Sequence, residues 1–419
     1  LTGYGDDEFR KAEGVADDVC ITCVAVTSGE DTILMYSGDL LSLNGVAAKW
    51  IRDLVCPVTG IPADHIFSSG THSHNAPSLY DNFAPTKRFR ATFLDAVVTA
   101  AQEALADRAP PTLFSGVKEL LHMNYIRHYL MEDGTYSGSN FGNMKLKSIA
   151  HATETDPRML VLQFRREEKP DIVMMNWQAH NDTVRETGYY LLSAGYVGHI
   201  RTRFEEETGM HFAFFQGASG NQNTRSRIPE EKAPENVFTF GQVLGDYAIA
   251  ALPTLEDAYV GSLQTRRFNY MGKWDHSEDH MIEQAREIRE LWMKTGDAKL
   301  CREEGKKYGI HSGYHAGFIM NRFNAGENYE MELNAIGLGD FPFITAPYEM
   351  FCNNAQTVKA ETPFPMTFVM TSANSGAGYI ASEAAFDHGC YEVDNRKFGR
   401  GTAEKAVSHF LEMLNDMKA

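Results

Sequence analysis

Apolar stretches of strand length in this chain repeatedly stop at polar residues able to do chemistry. Ile66-Phe67 runs into Gly70-Thr71-His72-Ser73-His74-Asn75, and Ile172 to Trp177 runs into Gln178-Ala179-His180. Phe212 to Phe215 leads into Gln216 through Asn223, Phe343-Ile344-Thr345 into Pro347-Tyr348-Glu349, and residues 367–371 into Asn374 through Tyr379. Strand ends of this kind can converge on one sheet edge, where open α/β folds place their sites. The pattern restricts the chain to an α/β fold with mixed sheets flanked by helices.

The intervening elements agree. Residues 19–26 and 33–37 read as a hairpin turning at Ser28-Gly29-Glu30-Asp31, followed by Asp39 at a strand end. A helix is predicted over 44–56, ending near Pro57, and another over 89–107, with Phe93, Val97, Ala101 and Leu105 at helical spacing. A strand is expected over 112–120, an irregular region over 121–155, and a hairpin formed by Met159–Phe164 and Ile172–Trp177. Helices follow over 193–208 and 236–252, then a strand near 259–269. Residues 277–308 are rich in Glu, Lys and Arg and read as a charged, solvated helical insertion, and 401–417 as a closing amphipathic helix. Neither a repeat nor a low-complexity linker divides the 419 residues, so one large domain over 1–419 is expected.

Charge narrows the partners. A formal net charge of −17 argues against nucleic acid, whose phosphates need a basic surface. No apolar run approaches the roughly eighteen residues of a membrane helix. The opening Leu1-Thr2-Gly3-Tyr4-Gly5 is not a signal peptide, which favours a soluble, cytoplasmic location over a secreted one. The six cysteines are scattered. Cys20 and Cys23 lie in a strand-like run where i and i+3 face opposite sides, so both are expected as small core residues.

His72 and His74 are two apart, so in an extended segment their imidazoles point the same way. One metal could take both, or one could bind metal while the other moves protons. Two imidazoles and a carboxylate are usual protein ligands of catalytic zinc, and His72, His180 and Glu349 supply such a set. Bound zinc lowers the pKa of its water to about 7 and polarises a carbonyl. His74 is then a candidate acid or base at the leaving group, and Arg127 and Tyr391 are candidate donors to a developing oxyanion. Asp39 reads either as a carboxylate behind a zinc-bound histidine or as the N-cap of the helix that follows.

Several of these segments together resemble the catalytic domain of the neutral/alkaline (non-lysosomal) ceramidases. They are Gly3-Tyr4-Gly5, Ser37-Gly38-Asp39, Thr71-His72-Ser73-His74, Asn176 to His180, Gly217 to Asn223, Pro347-Tyr348-Glu349, Asn374 to Tyr379, and Tyr391-Glu392. The resemblance spans nearly the whole chain. It implies a ceramidase-catalytic-domain-like fold and a zinc hydrolase of an amide C–N bond. It further implies one zinc per chain held by His72, His180, Glu349 and Tyr379, with His74, Arg127 and Tyr391 at the scissile amide. Asn221 and Asn374 fall in the matching segments and join Asp39 as residues behind the ligands or at the substrate. Tyr379 is expected either as a phenol whose pKa falls on the metal or as a longer Zn–O contact. The family's Gly-Asp-x-Ser-Pro-Asn stands here as Gly220-Asn221-Gln222-Asn223, so its serine is missing and its acid is an amide. The family's C-terminal β-sandwich has no counterpart in these residues. The expected partner is a small or lipid-like amide. The alternatives are an esterase, or a metal-containing binding protein without catalysis.

Overall fold

The computed structural model describes residues 1–419 except 5–9, 139, 140, 144, 184–187, 235, 260 and 375. Gly5 and Ser375, which belong to two of the segments above, therefore lie outside the described residues.

Three mixed sheets carry the architecture. In the first, strand Asp31–Gly38 pairs antiparallel with Ile21–Ser28 and parallel with Ile66–Gly70. The second runs in the order His211–Gln216, Ile172–Trp177, Arg158–Arg165, Thr112–Glu119, Glu256–Ala258, and its first two strands are parallel. The third runs Leu263–Lys273, Asn328–Leu338, Phe341–Thr345, Phe368–Met370, and its last two are parallel.

Strand alternation sorts the core. Ile33 and Met35, Leu160 and Leu162, Met174, Phe215, Ile336, Phe343, Phe368 and Met370 point into one shared cluster between the sheets. Their neighbours face outward. Leu34 and Tyr36 pack under the helices Gly45–Thr59 and Ala84–Ala106. Met159, Val161, Val173 and Met175 pack under Tyr196–Thr208 and Val237–Ala251. Leu333, Ala335, Ile344 and Val369 pack under the closing helix Thr402–Lys418. Buried on both faces, these strands are the near-continuous apolar runs seen in the sequence.

Each sheet thus holds a parallel pair, and its carboxyl ends lead into the polar segments. Cross-links hold the three ends together. Asn374 clips the first sheet to the third: its main-chain N–H donates to the Ser68 carbonyl at 2.9 Å and its Oδ1 accepts from Ser68 N–H at 2.8 Å. Asn176 Nδ2 spans the second and third sheets, donating to the carbonyls of Phe215 at 2.7 Å and Val369 at 2.8 Å.

Several expectations need correction. The first helix passes through Pro57 to Thr59 and stops at Gly60, whose φ of 73° closes the end with its N–H on the Cys56 carbonyl. A proline in the last turn loses one hydrogen bond without ending the helix. The helix expected over 193–208 begins at Tyr196 because Gly195 (φ 67°) turns the chain there. The stretch 121–155 is not irregular: it holds Tyr125–Ile126, His128–Met131, Tyr136–Gly138 and Ser148–His151, ladders too short to show a period. The strand expected near 259–269 is Leu263–Lys273. Cys20 is exposed and precedes its strand, while Cys23 is partly buried.

The charged stretch divides into helices Ile282–Thr295 and Ala298–Lys306, joined by Gly313–Phe323. They enclose a small core of their own, with Ala285, Ile288, Cys301, Ile310, Ala316 and Ile319 buried. Glu278 anchors this unit through ion pairs with Arg322 and, at 3.3 Å, Arg396.

Candidate active site

Short ladders at the strand ends bring the chemistry together. Ser73 bridges Asn181 in parallel, and His74 N–H donates to the Asn181 carbonyl at 3.1 Å, which joins the His72–His74 loop to the His180 loop. Glu349–Met350 pairs in parallel with Tyr379–Ile380, with Glu349 directly beside Tyr379. Gln222–Asn223 pairs with Tyr125–Ile126, and Arg127 N–H donates to the Asn221 carbonyl at 2.9 Å. The His segment does not continue its strand. His72 sits at φ 63°, an uncommon conformation for a residue with a side chain, which turns the loop over the sheet end.

His72, His74 and His180 each offer a ring nitrogen within 4.8 Å of the other two, and all three are buried. His72 and His180 have fixed tautomers. A carbonyl can only accept, so His72 Nδ1 donates to Leu41 O at 3.0 Å and His180 Nδ1 donates to Ser219 O at 2.8 Å. Both Nε2 lone pairs then face Glu349 Oε2, at 3.3 Å from His72 and 3.4 Å from His180. His72 Nε2 and Glu349 Oε2 are buried without a hydrogen-bond partner among the described residues. Tyr379 OH completes the group, 3.3 Å from His180 Nε2.

The charges follow from this geometry. Burial opposes ionisation of Glu349, but the positive charge that His72 and His180 carry when protonated outweighs it and holds the carboxyl well below the ordinary range. Burial also opposes charge on His72; the attraction of the Glu349 carboxylate, with the Leu41 bond, raises it overall. Burial and the Arg127 charge push His180 down. Burial, then the neighbouring His72 and His180, push His74 well down. Burial and Glu349 hold the Tyr379 phenol well above its usual value, against Arg127. Converging lone pairs beside a buried carboxylate suit a divalent cation, whose charge would reverse the penalty on the phenol.

His74 differs from the other two imidazoles in that neither of its ring nitrogens has a hydrogen-bond partner among the described residues. Its ring centroid lies 5.0 Å from that of His72 and 5.4 Å from that of His180. The N-terminal residues cover it. A Cβ added at Gly3 (φ +106°) would stand 2.6 Å from His74 Cγ, and the Tyr4 ring meets the His74 ring edge-on at 5.1 Å.

Arg127 is not an open donor. Its Nε donates to Glu392 at 2.6 Å, and its Nη2 donates to Gly220 O at 2.9 Å and Tyr379 OH at 3.2 Å. Tyr391 lies with its ring edge-on to Tyr379 at 6.0 Å, and its hydroxyl accepts from Asn395 Nδ2 at 3.3 Å. Burial pushes the Tyr391 phenol up to about 12. Asn221 Oδ1 accepts from Cys352 N–H at 2.9 Å, an acceptor role for which an amide serves as well as an acid.

Two candidates lie elsewhere than expected. Asp39 touches neither imidazole: it pairs with both guanidinium nitrogens of Arg201 at 2.9 and 3.0 Å and accepts from Cys20 N–H and the Thr71 hydroxyl. The following helix is capped by Asn44, not by Asp39. Asn374 serves the clip between sheets. Sequence reasoning missed the Leu41 and Ser219 carbonyls, since main-chain acceptors carry no sequence signal. It also missed His128, and it left Glu392 without a role beyond its place in a motif.

No protein-family model matches this sequence, and no curated protein sequence does. Solved structures do. One, described as a ceramidase complexed with C2, superposes with a TM-score of 0.71 at 15% identity, over 98% of this chain and 71% of its own. The neutral ceramidase from Pseudomonas aeruginosa superposes with a TM-score of 0.67 at 15% identity, over 93% of this chain and 67% of its own. The chain has the fold of these enzymes.

Proposed function

We propose that this protein is a zinc-dependent hydrolase that cleaves an amide C–N bond of a lipid-like or small N-acyl substrate. One observation carries the reading: the Nε2 lone pairs of His72 and His180 converge on one buried, unpartnered oxygen of Glu349. Such a set is unfavourable without a positive charge and is the donor chemistry of catalytic zinc. The likeness in fold to two ceramidases supports the reaction class.

His72, His180 and Glu349 would hold the metal, with the Tyr379 hydroxyl beside them. The bonds to the Leu41 and Ser219 carbonyls support this division, because ligating imidazoles almost always donate their other N–H to a fixed acceptor. His74 has no such partner and remains for proton transfer. When bound, zinc supplies hydroxide near neutral pH and polarises the acyl carbonyl. His74 relays a proton to the amide nitrogen as the C–N bond breaks and the new C–O bond forms, leaving a carboxylic acid and an amine. Arg127 fixes the Tyr379 hydroxyl, and Tyr391 stands next to it as a donor to the oxyanion. The Gly220–Asn223 turn departs from the ceramidase pattern, so the substrate class is left at N-acyl amides and not narrowed to ceramide.

The test is metal content and turnover of the chain purified without added metal. About one zinc per chain is expected, with hydrolysis of at least one N-acyl amide and loss of turnover in Glu349→Gln. Activity surviving in metal-free protein would exclude the mechanism. Full metal content without turnover on amides or esters would identify a binding protein.

A further inference from the structure

A second knot of buried titratable groups lies directly behind Arg127. His128, Cys390 and Glu392 bring nitrogen, sulfur and oxygen within 4.8 Å of one another, all buried. Its chemistry is opposite to that around Glu349. There, lone pairs face lone pairs; here, a hydrogen sits in each contact. Arg127 Nε donates to Glu392 Oε1 at 2.6 Å, and His128 Nε2 lies 2.8 Å from Glu392 Oε2. A carboxylate only accepts, so His128 carries its hydrogen on Nε2 and directs no lone pair at the acid. The knot is satisfied without a cation, and the structure assigns it a different task.

Arg127 is long and flexible, and it is buried where a stray rotamer would leave its charge unpaired. Glu392 fixes the guanidinium plane by gripping Nε. Nη2 is then placed between the Gly220 carbonyl and the Tyr379 hydroxyl. We propose that Glu392, itself held by His128, is a positioning residue that aims Arg127 at Tyr379, so that turnover depends on a carboxylate that never touches substrate. This rests on the hydrolase reading above. Charge agrees with the geometry: burial opposes ionisation of Glu392, and Arg127 and His128 overcome it, holding the carboxyl far below its ordinary value.

The experiment is a double-mutant cycle with zinc content, kcat and KM measured for every variant. Glu392→Gln should keep its zinc and its KM while kcat falls about 10²-fold, the scale of an ångström-sized misplacement. Glu392→Asp should recover part of that loss. Combined with Arg127→Lys, Glu392→Gln should add little further loss, because both changes break one link. His128→Gln keeps the charge pair and should lower kcat about 10-fold; it carries the test if Glu392→Gln does not fold. Wild-type kcat in Glu392→Gln, or penalties that multiply in the double variant, would overturn the positioning role. Wild-type protein lacking both zinc and turnover would overturn the parent reading and this one with it, before any variant is made.

Discussion

Replacing Asp39 by asparagine separates two roles that its sequence position leaves open. Its carboxylate is fully buried and engages both terminal nitrogens of Arg201, itself only 13% exposed. Asparagine keeps the size but removes the charge, so the guanidinium is left buried without its counter-ion. Breaking a buried pair in this way costs about 3–5 kcal/mol. With a urea dependence of roughly 3 kcal/mol per molar, the unfolding midpoint should fall by about 1 M. Zinc content should stay at the wild-type level, because His72 is oriented by the Leu41 carbonyl and not by Asp39. The compensated pair Asp39→Leu with Arg201→Met should regain most of the stability, since neither charge is then stranded. Urea melts followed by circular dichroism, paired with metal analysis, decide the matter. An Asp39→Asn protein that melts like wild type but has lost its metal would refute the reasoning and return Asp39 to the imidazole.

His72→Ala should remove zinc and turnover together while the fold survives, read by metal analysis and near-UV circular dichroism; a variant with full zinc would mean that the ligands lie elsewhere. Gly3→Ala places a Cβ against His74 Cγ and Cα at a backbone angle that disfavours any side chain, so zinc should be retained while kcat falls by about 10²-fold; unchanged kcat would remove His74 from the reaction. A third outcome concerns acid stability. Burial opposes the charge on Glu278, but the His315 hydrogen bond and the neighbouring Arg396 and Arg322 outweigh it and hold the carboxyl at about 2, below its ordinary 4.5. A depressed carboxyl contributes stability that is complete above its unfolded value and lost as pH falls through the folded one, here about 3 kcal/mol at most. The melting difference between wild type and Glu278→Gln should therefore be full above pH 5 and vanish near pH 2, and a difference that persists at pH 2 would contradict the assignment.

The near-continuous apolar runs of the central strands were legible because those strands have one face on the shared core and one under a helix. The convergence of His72, His180 and Glu349 was legible because each follows such a strand directly. Other features depend on distance or on the main chain. Arg201 is 162 positions from Asp39, and nothing local pairs them. The carbonyls of Leu41 and Ser219 orient imidazoles through atoms every residue has. Pro57 looks like a helix stop and is not one, because Gly60 supplies the actual terminus three residues later. The ladders within 121–155 are too short to show a period, so pattern alone misses them. Arg127 reads as a free cation until Glu392, 265 positions away, is seen against it.

The three strand pairs that end at the site belong to separate sheets, and on the proposed reading this would link metal affinity to the whole fold. A cation bridging the loops they feed would be bound by the native arrangement and by almost no partly folded one. At a free concentration one hundred times its dissociation constant it adds about 2.7 kcal/mol to the free energy of unfolding. Core substitutions remote from any ligand should then weaken zinc retention in proportion to how far they loosen sheet from sheet. Chelation, in turn, should soften the protein well beyond its catalytic edge.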